Sequence, residues 1–445
     1  MKYKMHKTKF KQTEIGMIPE EWEVGQLGNL CEITSSKRIF LKEYVSNGIP
    51  FYRSKEIILL ANNQIISDTL FISKERFEEI SNKFGSPKEG DLLMTSVGTL
   101  GVPYIVKKNE TFYFKDGNLM WFRSFKPKLK NKFLYYWIKS PIGQQQLDFI
   151  SIGSTQRALT IDSVKRMKIS FPKIGEQEFI AKILSDLDSK IELNQQMNKT
   201  LEEIGKAIFK HWFVDFEFPN EEGKPYKSSG GETVYNEELG KEIPKGWRVG
   251  RLGDGILTSI SKPGIDNFVG EKIYLDTASV QNTDIISLND YITFDKRPSR
   301  ANMQPKIGSV WFAKMKDSKK GLFFDDYSTF GLDNFILSTG FLGLSVKSSA
   351  LYYIWNIISS DEFERQKSNL CNGTTMQAIN NVTVQSIKAL VPDEKVLIKF
   401  NEAVKSLYNR IYINFVESQI LSQIRDLLLP KLMSGKIRVP LEGKE

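Results

Sequence analysis

Histidine and cysteine are almost missing from this chain. Its 445 residues hold two of each: His6 and His211, Cys31 and Cys371. Two histidines so far apart do not assemble a histidine triad or a histidine metal site. His6 falls in a basic, polar opening (MKYKMHKTKFKQTEIG) that reads as a mobile tail, and His211, next to Trp212, reads as a helix-end residue. Two distant cysteines exclude a disulfide framework and fit a reducing compartment. No run reaches the roughly 18 apolar residues of a membrane span, and the opening lacks the apolar core of a secretion signal. Neither GxxxxGK[ST] nor GxGxxG occurs, so phosphate-cradling loops of those kinds are excluded. Gly98-Thr99-Leu100-Gly101 reads as a tight turn. The sixteen prolines are all isolated, which removes the Asn/Asp-Pro-Pro-aromatic motif of amino-methylating enzymes. The chain therefore shows no catalytic residue and no metal ligand set, and we expect no bound cofactor.

What is present begins with charge. A net +9 and a pI near 9.1 fit a polyanionic partner. The length allows two or three domains, and 40% hydrophobic with 26% charged residues is ordinary globular composition.

Proline is also absent between Pro172 and Pro219, where residues 175–216 place Ile180, Leu184, Leu187, Ile191, Met197, Leu201, Ile204 and Ile208 near a 3.5-residue repeat. A helix of about 40 residues is on the order of 60 Å long. Its apolar stripe is narrow and wants one partner helix. A second stretch, from Pro392 to Leu432, offers Phe400, Val404, Leu407, Ile411, Leu421, Ile424 and Leu428. Shifted by 220 residues, Leu187 falls on Leu407, Asn194 on Asn414 and Leu201 on Leu421. The two helices are expected to pair antiparallel within one chain, with Asn194 and Asn414 meeting at the middle to set the register.

The same repeat runs through the rest of the chain. Ile18-Pro19-x-x-Trp22-x-Val24-Gly25-x-Leu27-Gly28 returns as Ile243-Pro244-x-x-Trp247-x-Val249-Gly250-x-Leu252-Gly253. Behind each opening come short β-rich runs, among them 49–52, 91–95, 102–106 and 119–122, then 272–275, 309–313 and 341–346. Amphipathic helices follow at 132–140 and 141–150, and at 350–360 and 361–368. Gly153-Ser154-Thr155-Gln156-Arg157 meets Gly373-Thr374-Thr375-Met376-Gln377 just before each long helix. The fold class is therefore α/β (α+β): two β-rich mixed domains with two long helices and a pseudo-twofold repeat. The boundaries read as 1–173 for the first domain, 174–218 for the first long helix, 219–238 for a Gly/Ser/Glu-rich linker, 239–391 for the second domain, and 392–445 for the second helix and tail, with Gly435 ending that helix.

Basic and polar loop residues are the candidates for gripping phosphates and reading base edges. The first copy offers Lys37, Arg38, Arg53, Lys55, Ser154, Thr155 and Arg157. The second offers Arg297, Arg300, Lys314, Lys316, Lys319, Thr374, Thr375 and Gln377. Read singly, each is equally a solubilising surface residue, and the Gly-Ser/Thr-Thr loops are equally plain turns.

With the doubled Ile-Pro-x-x-Trp-x-Val opening, the paired Gly-Ser/Thr-Thr loops, the long helix ending in Trp212 and the Leu432-Met433-Ser434-Gly435-Lys436-Ile437 tail, the chain resembles the specificity subunits of type I restriction–modification systems. The resemblance implies two target-recognition domains, each reading one half of a split site in double-stranded DNA. It implies that the two long helices act as a ruler and dock two methyltransferase (modification) subunits, with restriction subunits joining the complex. S-adenosylmethionine, ATP and Mg would then belong to those partners, and the setting would be a bacterial or archaeal cytoplasm. Two departures stand out: Gln156-Arg157 faces Met376-Gln377, and the second helix lacks the Trp-Phe ending of the first. Other readings remain open: a self-pairing coiled-coil scaffold with incidental charge, or the specificity subunit of a related two-subunit restriction–methylation enzyme.

Overall fold

The two long periodic stretches are continuous helices of 40 residues each, Ile174–Phe213 and Glu394–Met433. The second runs through Pro430, which lies one turn before its end and so removes little of the ladder. Gly435 then takes a left-handed φ of 68°. These features come from a computed structural model, which describes residues 8–64, 66–153, 157–373 and 377–439. His6 lies outside them. No described helix is long and apolar enough to cross a membrane.

The chain divides into two compact units: residues up to Leu193 together with those from Ser418 onward, and Asn194–Glu417. Each long helix gives one half to each unit. Within the first unit Ile180, Ala181 and Leu184 share a core with Leu429, Leu432 and Met433. Within the second, Phe213 packs on Phe400 and Gly205 on Tyr408, while Asn194 donates to the Asn414 carbonyl at 3.4 Å. Rising numbers on one helix meet falling numbers on the other, so the helices are antiparallel in both units.

The seam differs in detail from the 3.5-residue reading. Ile204 and Ile424, placed in the stripe by periodicity, are each 41% exposed. Gly205 takes the inward position instead, because its bare backbone admits the ring of Tyr408. The Asn194–Asn414 contact expected from the repeat is present, through the Asn414 backbone carbonyl, and each side chain has a further partner. The side-chain amide of Asn414 goes to Asn198 at 2.8 Å, and that of Asn194 to Glu417 at 2.9 Å.

The two units repeat one plan. The strand after each tryptophan pairs antiparallel with the strand before the long helix: Glu23–Gln26 with Lys168–Phe171, and Arg248–Arg251 with Lys388–Val391. Those pairs lock Trp22 and Trp247 into their cores. A four-stranded sheet follows in each. Its order is Glu32–Thr34, Leu119–Arg123, Leu92–Thr95, Pro103–Ile105 in the first unit and Thr258–Ser261, Phe341–Val346, Ser309–Ala313, Gly321–Phe324 in the second. A second four-stranded sheet in each unit pairs Ile49–Tyr52 in parallel with Tyr113–Phe114, and Lys272–Leu275 in parallel with Phe335–Ser338. Here the units diverge, since Ala301–Met303 adds an edge beside Phe335–Ser338 while the first unit inserts the helices Ser54–Ala61 and Lys74–Phe84.

The 219–238 stretch is not a plain linker. Thr233–Asn236 pairs with Lys241–Pro244, repeating the hairpin of Phe10–Thr13 and Gly16–Pro19, and Phe218 stacks on Tyr226 and Trp247. The first strand of this hairpin is largely exposed and has no apolar alternation, so periodicity does not reveal it.

Candidate nucleic-acid interface

Two loops build the candidate surface in each unit. In the first, the segment after Leu92–Thr95 is zipped to the loop ahead of the long helix through bridges Val97–Ala158 and Ile152–Ala158. In the second, the segment after Ser309–Ala313 is zipped likewise through Met315–Ala378 and Asn372–Ala378. Ser154, Thr155, Gln156, Thr374, Thr375 and Met376 lie outside the described residues. The described residues on either side of them form an antiparallel frame.

That frame defines an exact correspondence. The amide of Ser96 donates to the Asn118 carbonyl, and the Ser96 carbonyl accepts from Leu159. The amide of Lys314 donates to the Gly340 carbonyl, and the Lys314 carbonyl accepts from Ile379. Even the side chains choose equivalent acceptors: the Ser96 hydroxyl goes to the Gly117 carbonyl at 3.2 Å and the Lys314 amine to the Thr339 carbonyl at 2.8 Å. One backbone position thus tethers the neighbouring segment by a buried hydroxyl in the first unit and by an ammonium in the second. Burial, with Lys262 nearby, pushes the Lys314 amine below the ordinary lysine range.

Most of the cations singled out in the first unit gather around the 113–119 segment. Lys37 takes its amide to the Tyr113 hydroxyl and lays its ammonium over Phe84 at 4.6 Å. Arg38 pairs with Asp116 at 2.9 Å and remains mostly exposed. Arg53 closes on the buried Glu56 with two bonds, 2.5 and 3.1 Å. Burial alone would raise the Glu56 carboxyl, but the side-chain and backbone bonds of Arg53 bring it below its usual range. Lys55 sits 4.0 Å from Asp68. Arg157 is held at the mouth of its loop by Asp148 and Ser151.

In the second unit Arg300, Lys314, Lys316, Lys319 and Gln377 converge. The Arg300 carbonyl accepts from Thr339, and the Lys316 amide donates to the Gln377 carbonyl. The Lys316 side chain is exposed, and Lys319 pairs with Asp361 at 2.5 Å. Arg297 stands apart, its guanidinium stacked 4.1 Å from the Phe294 ring and bonded to that residue's carbonyl.

Residues 19–203 match the family model described as the type I restriction modification DNA specificity domain. Over an alignment of 450 positions the chain is 29% identical to the type I restriction enzyme MjaIX specificity subunit of Methanocaldococcus jannaschii, covering 97% of each chain. Along nearly its whole length the chain is thus similar to a type I specificity subunit. It is also 27% identical to the HindI specificity subunit of Haemophilus influenzae, over 64% of this chain and 72% of that one. The crystal structure of a type I system S subunit from M. genitalium shares the fold, with a TM-score of 0.56 at 16% identity over 96% of this chain and 99% of that one.

Sequence reasoning missed two of the side chains that shape the surface of this chain. Lys262 lies near enough to Lys314 to help lower its amine, and Lys367 is wholly buried under the 313–320 loop. A lysine on an amphipathic helix carries no sequence signal that it points inward. Among the described residues no group of three or more His, Cys, Asp or Glu is placed to hold a metal ion.

Proposed function

We propose that this chain is the specificity subunit, the DNA-recognition and scaffold component, of a type I restriction–modification complex, each domain reading one half of a split double-stranded site. The observation that carries the reading is the shared frame at Ser96 and Lys314, where one backbone geometry supports loops of different sequence in the two units. Loops of different sequence on one frame offer different donor and acceptor sets to base edges. Such a pair suits two half-sites of different sequence. The exposed cations near each frame, Lys37, Arg38 and Lys55 in one unit and Arg300 and Lys316 in the other, suit phosphate contacts that position the duplex. In this reading the chain performs no chemistry. The antiparallel helices set the unread spacer and dock two methyltransferase subunits, and restriction subunits join through that complex. S-adenosylmethionine, ATP and Mg are used by those partners, a division of labour supported by a chain with two histidines and two cysteines.

Exchanging residues 15–172 for the corresponding domain of a relative with a different target tests this. In cells that also carry the methyltransferase subunit, mapping of methylated adenines is expected to show one half-site changed and the other kept. A chimera that changes both halves, or neither, overturns the reading.

A further inference from the structure

Lys367 is 0% exposed, on the helix Asp361–Asn369, where the first unit carries Leu147 on the matching helix Pro141–Ile150. A buried ammonium is costly unless every proton finds an acceptor. Lys367 finds three: the carbonyls of Ala313 at 3.1 Å and Ser318 at 2.9 Å, and the carboxylate of Glu364 at 2.8 Å. The neighbouring Ser368 hydroxyl accepts from the Asp317 amide at 3.1 Å. Both carbonyls and that amide belong to the loop whose tip is Met315-Lys316-Asp317. At the tip Asp317 takes a left-handed φ of 52°, an uncommon conformation for a residue with a side chain, so the helix holds the loop in a shape it would not choose alone.

The first unit splints its loop from the same helix face by other means. The Gln144 amide donates to the Gly101 carbonyl at 2.9 Å, and a Cβ placed on Gly101 would meet Leu147 at 2.7 Å. Two copies therefore solve one problem with different chemistry. The polar solution occurs where the loop carries an exposed lysine.

We infer that Lys367 is a positioning residue for sequence selection by the second domain: its buried ammonium fixes the 313–320 loop so that Lys316 is presented at a set place. This rests on the DNA-recognition reading above. An aliphatic residue fits the site, as Leu147 does in the first unit, but it leaves the Ala313 and Ser318 carbonyls without their donor.

The test uses the full chain in complex with its methyltransferase partner and compares Lys367→Met, Lys367→Arg, Lys316→Ala and the Lys367→Met/Lys316→Ala pair. In Lys367→Met, amide exchange at residues 316–318 is expected to rise about tenfold. Selectivity among bases of one half-site is expected to relax about tenfold, with the other half unchanged and Lys367→Arg recovering part of it. The two single effects on selectivity should not add, because Lys367 acts through Lys316. Faster exchange with unchanged selectivity, equal loss at both half-sites, or additive effects overturns the inference. If Lys367→Met does not fold, Lys367→Arg and Glu364→Gln take its place, and the inference then requires loop exchange and half-site selectivity to shift together. A wild-type complex that selects no split sequence sinks the functional reading instead, and the exchange measurement still decides whether Lys367 splints the loop.

Discussion

Asn414 donates its side-chain amide to the side-chain oxygen of Asn198 at 2.8 Å, inside a seam where Asn414 itself is 0% exposed. Asn198 in turn donates to the Ile411 carbonyl at 3.2 Å. A buried amide pair of this kind ties one helix to the other at a single register, since a slip of one residue separates donor from acceptor. Replacing Asn414 by Leu strands the Asn198 oxygen, and unpaired buried polar groups cost roughly 1–3 kcal/mol. Urea titration of Asn414→Leu should show a lower midpoint, with part of the loss recovered when Asn198 is also changed to Leu. A single variant as stable as wild type would show that this pair does not hold the register.

Gly205 and Tyr408 make a close approach in the seam of the second unit. A Cβ on Gly205 would lie 3.0 Å from the Tyr408 hydroxyl. That hydroxyl also accepts from Asn356 at 2.8 Å, and the ring stacks on Tyr352 at 4.8 Å. For Gly205→Ala, helix propensity gains about 1 kcal/mol and the contact loses a comparable amount, so little net change is expected. Gly205→Leu has no such balance. It should displace Tyr408 and cost roughly 1–3 kcal/mol as an overpacked site, with the ring's near-ultraviolet dichroism altered. A stable Leu variant with an unchanged spectrum contradicts the close approach.

Glu202 is an inward carboxylate in the second unit, its side chain 23% exposed. Burial, and then the Asp284 carboxylate, push its pKa above the ordinary 4.5, against Lys206 on its own helix and a bond from Thr283 at 3.0 Å. Glu203 adds a further small push upward, and the Tyr408 ring faces it from the second long helix. A carboxyl raised on folding contributes stability below its unfolded value and loses it as pH rises through the folded one. At neutral pH it is therefore a cost. Glu202→Gln keeps an acceptor for Thr283 and should raise the unfolding midpoint at pH 8, with the gap to wild type narrowing as pH falls toward 4.5. A glutamine variant less stable than wild type at pH 8 would show that the Lys206 pair outweighs burial.

The helices supply a test of the ruler. Seven residues added to each, beside Asn194 and Asn414, keep the seam nearly in phase and add about 10 Å of helix. That length matches roughly three base pairs at 3.4 Å per step. Any site still methylated should then differ in its spacer alone, although three pairs also rotate one half-site by roughly 100°. New bases in either half with the old spacer would show that the helices do not set the spacing.

Periodicity and repetition determined a good deal by themselves. A narrow apolar stripe without proline has one stable use, so both long helices were legible, and strands such as Lys272–Leu275 and Ser309–Ala313 have the bounds read from β-branched and aromatic runs. The matching of Trp22 with Trp247 revealed the doubled plan for the same reason: a buried indole needs the same strand pair around it each time. Tertiary structure alone decided where polar groups go. Nothing local distinguishes Lys367, buried beneath a loop, from Lys316, exposed at its tip. Nothing local told that Gly205 rather than Ile204 faces the partner helix, or that Asn414 chooses Asn198. Apolar residues announce their direction by spacing, because burial is their only favourable state. A lysine or an asparagine is stable in water or under cover, and only the acceptors that the folded chain brings within 3 Å settle which.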